Sequence, residues 1–170
     1  MFEWLQGTGL ATWINISPWA YPTFLTAHGL GMAVVVGLTA MIALRIIGFP
    51  AKTPLGAYRG LLPLLLGAFA VNAVSGALLF VSDAVSLAAN VSFQIKMISV
   101  VLGLFVLWLI DRLVLAPAAA SEAAGAVAGE AAPAFVPPAS AKFMGVAAIL
   151  IWWLSVIVSG RLVAYLSPGA

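Results

Sequence analysis

YPTFLTAHGLGMAVVVGLTAMIALRII, residues 21–47, is free of charge from Tyr21 to Leu44 and meets its first charged residue at Arg45. A helix rising about 1.5 Å per residue needs about 20 apolar residues to cross about 30 Å of hydrocarbon, and this stretch is long enough to do so. The rest of the chain has the same character: 64% of the 170 residues are hydrophobic and only 7% are charged, with a mean hydropathy of +1.18. A soluble globular chain does not carry that composition. Lipid cannot satisfy backbone N–H and C=O groups, and the apolar runs lack the strict alternation of barrel strands, so the spans are expected to be helices.

Working outward from residues 21–47, further spans are expected at about 61–81, 93–115 and 143–166. The predicted fold class is an all-α polytopic membrane protein. It has four transmembrane helices in an antiparallel bundle, preceded by an interfacial segment over 1–20 that carries Trp4, Trp13 and Trp19. Residues 116–140, APAAASEAAGAVAGEAAPAFVPPAS, offer few large apolar side chains and read as a flexible Ala/Pro-rich loop. Residues 82–92 read as a short polar turn.

Charge sets the expected partners and orientation. The lipid bilayer is the first partner. The net charge of +2 is scattered, without a cluster of Lys and Arg, which argues against nucleic acid. The absence of cysteine excludes disulfides, thiolate metal sites, iron–sulfur ligation and cysteine nucleophiles. Arg45, Lys52 and Arg59 flank the first loop and Arg112 and Lys142 the third, whereas Lys96 and Arg161 lie toward the opposite side. By the positive-inside rule both termini are expected to face the periplasm of a bacterial inner membrane.

The few polar residues in the spans concentrate in the outer half. His28, the one histidine of the chain, lies about 9 Å into the first span when counted from Pro22. It shares a face with Phe24, Leu25, Gly31, Met32 and Val35, and glycine beside a polar residue suggests a cavity. Asn72, Ser75, Gly76 and Asp83 share a face of the second span, and Lys96, Ser99 and Gly103 form a stripe on the third. Ionisable groups in a membrane are costly, so they tend to point into a bundle, a cavity or a partner. Each also has a simpler account. Lys96, Asp83 and Arg161 can snorkel to water, Asn72 and the small residues can join helices, and His28 can serve a packing hydrogen bond.

The segments TAHGLGMAVVVGLTAMIALRIIG, GAFAVNAVSGALLFVSDA, NVSFQIKM and LSVIVSGRLVAYL resemble those of a family of small, largely uncharacterised bacterial inner-membrane proteins. More distantly they resemble the membrane domains of copper-resistance D-like proteins and b-type cytochromes. The resemblance marks His28, Asn72, Asp83, Lys96 and Arg161 as family-like polar positions, without a known reaction attached.

Three classes of function are compatible with these residues. His28 could be the axial ligand of haem b, with Gly29 and Gly31 giving the macrocycle room and Arg161 or Lys96 pairing a propionate. A single histidine excludes bis-histidine ligation within one chain, so the second ligand would be water, Met97, or His28 of another protomer. The same cluster, His28 with Asn72, Ser75, Asp83 and Lys96, could instead bind a quinone head group. A third class is a non-catalytic accessory subunit, as a homo-oligomer or part of a larger membrane complex. A solute or metal transporter ranks below these, because the spans show no paired broken helices and no cluster of metal ligands. No nucleophile–base pair, HExxH or phosphate loop can be assembled, which argues against an enzyme acting alone.

Overall fold

The computed structural model describes residues 2–49, 53–128, 135–157 and 162. Two short helices, α1 (Glu3–Gln6) and α2 (Gly9–Ile16), precede the first long helix, α3 (Ala20–Ile47). A 3-10 turn (Gly56–Leu61) leads into α4 (Leu62–Ser82), followed by α5 (Ala84–Ala89) and α6 (Val91–Ile110). A π segment (Asp111–Leu115) continues α6 into α7 (Ala116–Ala128), and α8 (Ala139–Ile157) completes the described fold. Four stretches are long and apolar enough to cross a membrane: Ala20–Ile47, Gly56–Ser82, Val91–Val127 and Ala139–Val156. Only 17 to 33% of the most apolar window of each is buried within the protein, so most of its apolar surface needs lipid as solvent. The chain is an all-α, multi-pass membrane protein.

Local sequence accounts for the helix ends. Thr8 caps α2 by accepting from Ala11 N at 3.3 Å, and Asn90 caps α6 by accepting from Ser92 N at 2.9 Å and Phe93 N at 3.4 Å. Gly48, at φ 126°, ends α3 in a conformation that L side chains rarely adopt. Pro63 stands at the start of α4, where its missing N–H costs nothing.

The most extensive packing joins α3 to α4, α3 to α8, and α6 to α8. The common core contains Val35, Ile42, Ala43 and Ile46 of α3, Leu65 of α4, Leu107 and Ile110 of α6, and Ala148 and Trp152 of α8. At one end of the bundle α1, α2 and α5 gather, tied to α4 by Asn15 Nδ2 donating to Ser82 O at 3.1 Å. At the other end lie the 3-10 turn, the π segment and α7. There Arg59 Nε pairs with Asp111 Oδ1 at 3.0 Å and Gly56 N donates to Glu122 Oε1 at 2.9 Å.

Two expectations about the connections are corrected. The loop foreseen over 116–140 is helical from Ala116 to Ala128, and Ala118 is fully buried. Alanine is the best helix former, so a composition poor in large apolar residues still propagates a helix once α6 has nucleated it. The π segment spans Leu113, whose carbonyl Pro117 would otherwise crowd from four residues on. The polar turn foreseen over 82–92 contains the short helix α5. The fourth span begins at Ala139 rather than 143, and its expected end at 166 lies outside the described residues.

Candidate functional site

Three helices converge on His28. From α4, Asn72 makes a reciprocal clamp with it: His28 Nδ1 donates to Asn72 O at 2.9 Å, and Asn72 Nδ2 donates to His28 O at 2.7 Å. Ser75 Oγ lies 3.5 Å from the same Nδ1 and donates to Val71 O at 2.7 Å. From α6, Lys96 Nζ lies 3.1 Å from His28 Nε2. The imidazole therefore cross-links α3, α4 and α6.

Two glycines make this approach possible. A Cβ on Gly31 would stand 2.9 Å from Ala68 O and 3.0 Å from Asn72 N, so glycine lets the α3 and α4 backbones close to contact. A Cβ on Gly76 would stand 2.9 Å from His28 Cε1 and 3.0 Å from Nδ1, so the flat face of α4 at Gly76 is the bed on which the ring lies.

The partners assign the protonation state. A carbonyl only accepts, so the Nδ1 facing Asn72 O carries hydrogen, and an ammonium only donates, so the Nε2 facing Lys96 is a lone pair. With Lys96 as the ammonium, the imidazole is neutral, in the Nδ1–H tautomer. Lys96 spends one of its three donors on that lone pair, and among the described residues no carboxylate lies within ion-pair distance of it. The site thus offers a ligand N–H donors and a positive charge in a membrane-embedded setting.

The sequence-predicted residues divide into those that meet and those that do not. His28, Asn72, Ser75 and Lys96 form the cluster. Gly31 is beside it, but the space it leaves is taken by the backbone of α4 and is not open to a macrocycle. Gly29 is exposed, with no atom near the position of a Cβ. Met97 follows Lys96 by one residue and is 48% exposed, on a different face of α6. Asp83 sits at the C-terminal end of α4 and accepts from Gln6 Nε2 at 3.0 Å, which ties it to the N-terminal helices instead of to His28. Arg161 lies outside the described residues. Gly76 was read only as part of a small and polar stripe. Its place one residue after Ser75 and four after Asn72 was the available signal that a bulky partner lies there. Among the described residues no group of three or more His, Asp or Glu side chains could hold a metal ion.

The fold and the cluster define a class: a polytopic helical membrane protein with a His–Lys pair inside the bundle. No family model, curated protein or solved structure matches the chain.

Proposed function

We propose that this protein is a redox-associated membrane protein that binds the head group of a lipid quinone at His28 and Lys96. The observation that carries the reading is the contact between Lys96 Nζ and His28 Nε2 at 3.1 Å, held within the bundle without a counter-charge among the described residues. A quinone carbonyl is an uncharged acceptor that partitions into lipid, and it answers the unused donors of Lys96. A charge-assisted hydrogen bond of this kind contributes about 1.5–3 kcal/mol. His28, held at Nδ1 by Asn72 O, accepts from Lys96 at Nε2 and so fixes the ammonium in place with its remaining donors free for a ligand carbonyl.

Haem fits these residues less well. Iron would need the Nε2 lone pair that Lys96 occupies, and the ring is already confined against Gly76. The basic residues also support an orientation. Arg45, Arg59, Arg112 and Lys142 all fall at the end of the bundle that carries α7, which by the positive-inside rule supports reading that end as cytoplasmic and the His28 end as periplasmic.

The test is quinone extraction from protein purified in nanodiscs, with His28→Ala and Lys96→Met beside the native chain. Native protein should retain quinone, and Lys96→Met should weaken binding at least about tenfold, the equivalent of about 1.4 kcal/mol. Absence of quinone together with failure to bind an added short-chain quinone would end this reading, and a Soret band in native protein would replace it with haem.

A further inference from the structure

Among the described residues, three buried polar side-chain atoms in the middle of the bundle have no hydrogen-bond partner: Thr39 Oγ1 on α3, and Trp152 Nε1 and Ser155 Oγ on α8. Their residues are 1%, 3% and 1% exposed, respectively. In native proteins buried polar atoms are paired almost without exception, and an unpaired donor costs the full desolvation of the group. Three such atoms in one region of a lipid-embedded core call for a common partner.

Helix register places them together. A Cβ on Gly145 would meet Ala43 O at 3.1 Å and Ile47 Cγ1 at 3.4 Å, which fixes α8 against α3. Counting in opposite directions from that contact at about 1.5 Å per residue brings Trp152 and Thr39 to the same level within roughly one turn. The indole of Trp152 lies over Gly103 of α6, where a Cβ would be 2.9 Å from Cε2 and 3.0 Å from Nε1. Ser155 is one turn further toward the His28 end on the same face of α8, and Ser99 is one turn from Gly103 in that same direction on α6. Lys96 follows Ser99 by another turn on one stripe. By register, these polar residues follow one another along α3, α6 and α8 from the level of the His28–Lys96 pair to mid-bundle, with Ser99 Oγ donating to Ile95 O at 2.8 Å and Thr39, Trp152 and Ser155 left as the unpaired members. Beyond Thr39 and Trp152 the core is apolar, with Ile42, Ile46, Leu107 and Ile110.

We infer that this seam binds internal water, in a file that starts at the His28–Lys96 pair and ends blindly at Thr39 and Trp152. Water is the ligand that fits. It donates and accepts, so it satisfies an indole N–H and two hydroxyls at once, and a buried water needs only two to four polar partners, typically about three. An apolar ligand would leave all three atoms unpaired. The file keeps the pair hydrated from inside the bundle while the apolar half beyond it keeps the membrane sealed. This inference stands whether or not a quinone occupies the outer site.

The test is hydroxyl-radical footprinting of the protein in nanodiscs, which oxidises side chains adjacent to bound water. Trp153, 58% exposed on the face turned away from the core, is the internal control. Trp152 should be oxidised several-fold faster than Trp153, and Thr39→Val combined with Ser155→Ala should cut that labelling by at least half. If the double variant does not insert, Ser155→Ala alone is held to the same criterion. Labelling of Trp152 no greater than that of Trp153, or labelling unchanged by the substitutions, overturns the inference. Quinone retention measured on the same native sample separates the two readings, since either can fail without the other.

Discussion

Gly76→Ala tests the site through its tightest contact. The added methyl would stand 2.9 Å from His28 Cε1 and 3.0 Å from Nδ1, against an optimal carbon separation of about 3.5–4.0 Å. The ring must retreat by roughly 0.5–1 Å. Such a shift strains both of its hydrogen bonds, to Asn72 O at 2.9 Å and to Lys96 Nζ at 3.1 Å. Overpacking costs about 1–3 kcal/mol and a weakened bond to a charged group up to about 1.5–3 kcal/mol, so a net loss of about 2–4 kcal/mol is expected. The assay is a double-mutant cycle of thermal or denaturant unfolding in one fixed detergent. With His28→Ala as background the obstacle is gone, and Gly76→Ala should cost less than about 0.5 kcal/mol, giving a coupling energy above about 1.5 kcal/mol. Additive effects of the two substitutions would show that the ring does not lie on Gly76, and the site geometry would fall with that result.

Gly31→Ala should cost about 1–3 kcal/mol in the same melts, because backbone atoms of Ala68 and Asn72 cannot yield, whereas Gly37→Ala, which meets nothing within 4 Å, should be neutral or slightly stabilising. Glu122→Ala removes the acceptor of Gly56 N and should loosen α7, read as faster proteolysis within 116–128 with the spans intact. Because the chain has no native cysteine, single-cysteine labelling reports topology cleanly: cysteines near residue 2 should react with impermeant reagent from the periplasm, and a cysteine at Ala123 should not. Liposomes containing the protein should leak protons no faster than empty ones, since the core beyond Thr39 is apolar; a faster leak would show that the water file is continuous.

The fold was legible because lipid imposes one rule on every residue of a span. Residues 21–47 needed only length and lack of charge to be read, and the observed helix, Ala20–Ile47, differs by one residue. Residues 116–128 were misread for the opposite reason. Outside the hydrocarbon, helix and coil differ by small propensities, and the decisive contacts, Glu122 to Gly56 and Ala118 into the core, join positions far apart in the chain. At the site, helical periodicity put Asn72 and Ser75 on one face and Lys96 in the outer half, and all three meet His28. Periodicity gives no rotation of one helix against the next. It could not show that Gly31 admits the α4 backbone and Gly76 the imidazole, or that Met97 and Asp83 turn elsewhere.

The tautomer of His28 limits what the site can select. With Nδ1–H committed to Asn72 O and Nε2 to Lys96, the ring has no free lone pair, so a ligand meets the donors of Lys96 and not a base. Metal cations and hydrogen-bond donors are disfavoured, and acceptors such as a carbonyl are favoured. Reversing that preference requires Lys96 to be removed or deprotonated, which frees Nε2. Lys96→Met should therefore change the kind of ligand bound as well as the strength of binding: quinone affinity falls while Nε2 becomes open to added haem or imidazole-binding metal ions. If Lys96→Met gains no such affinity, as judged by visible spectra during titration with haemin, confinement of the ring by Gly76 is the stronger barrier and the lysine's role is limited to binding acceptors.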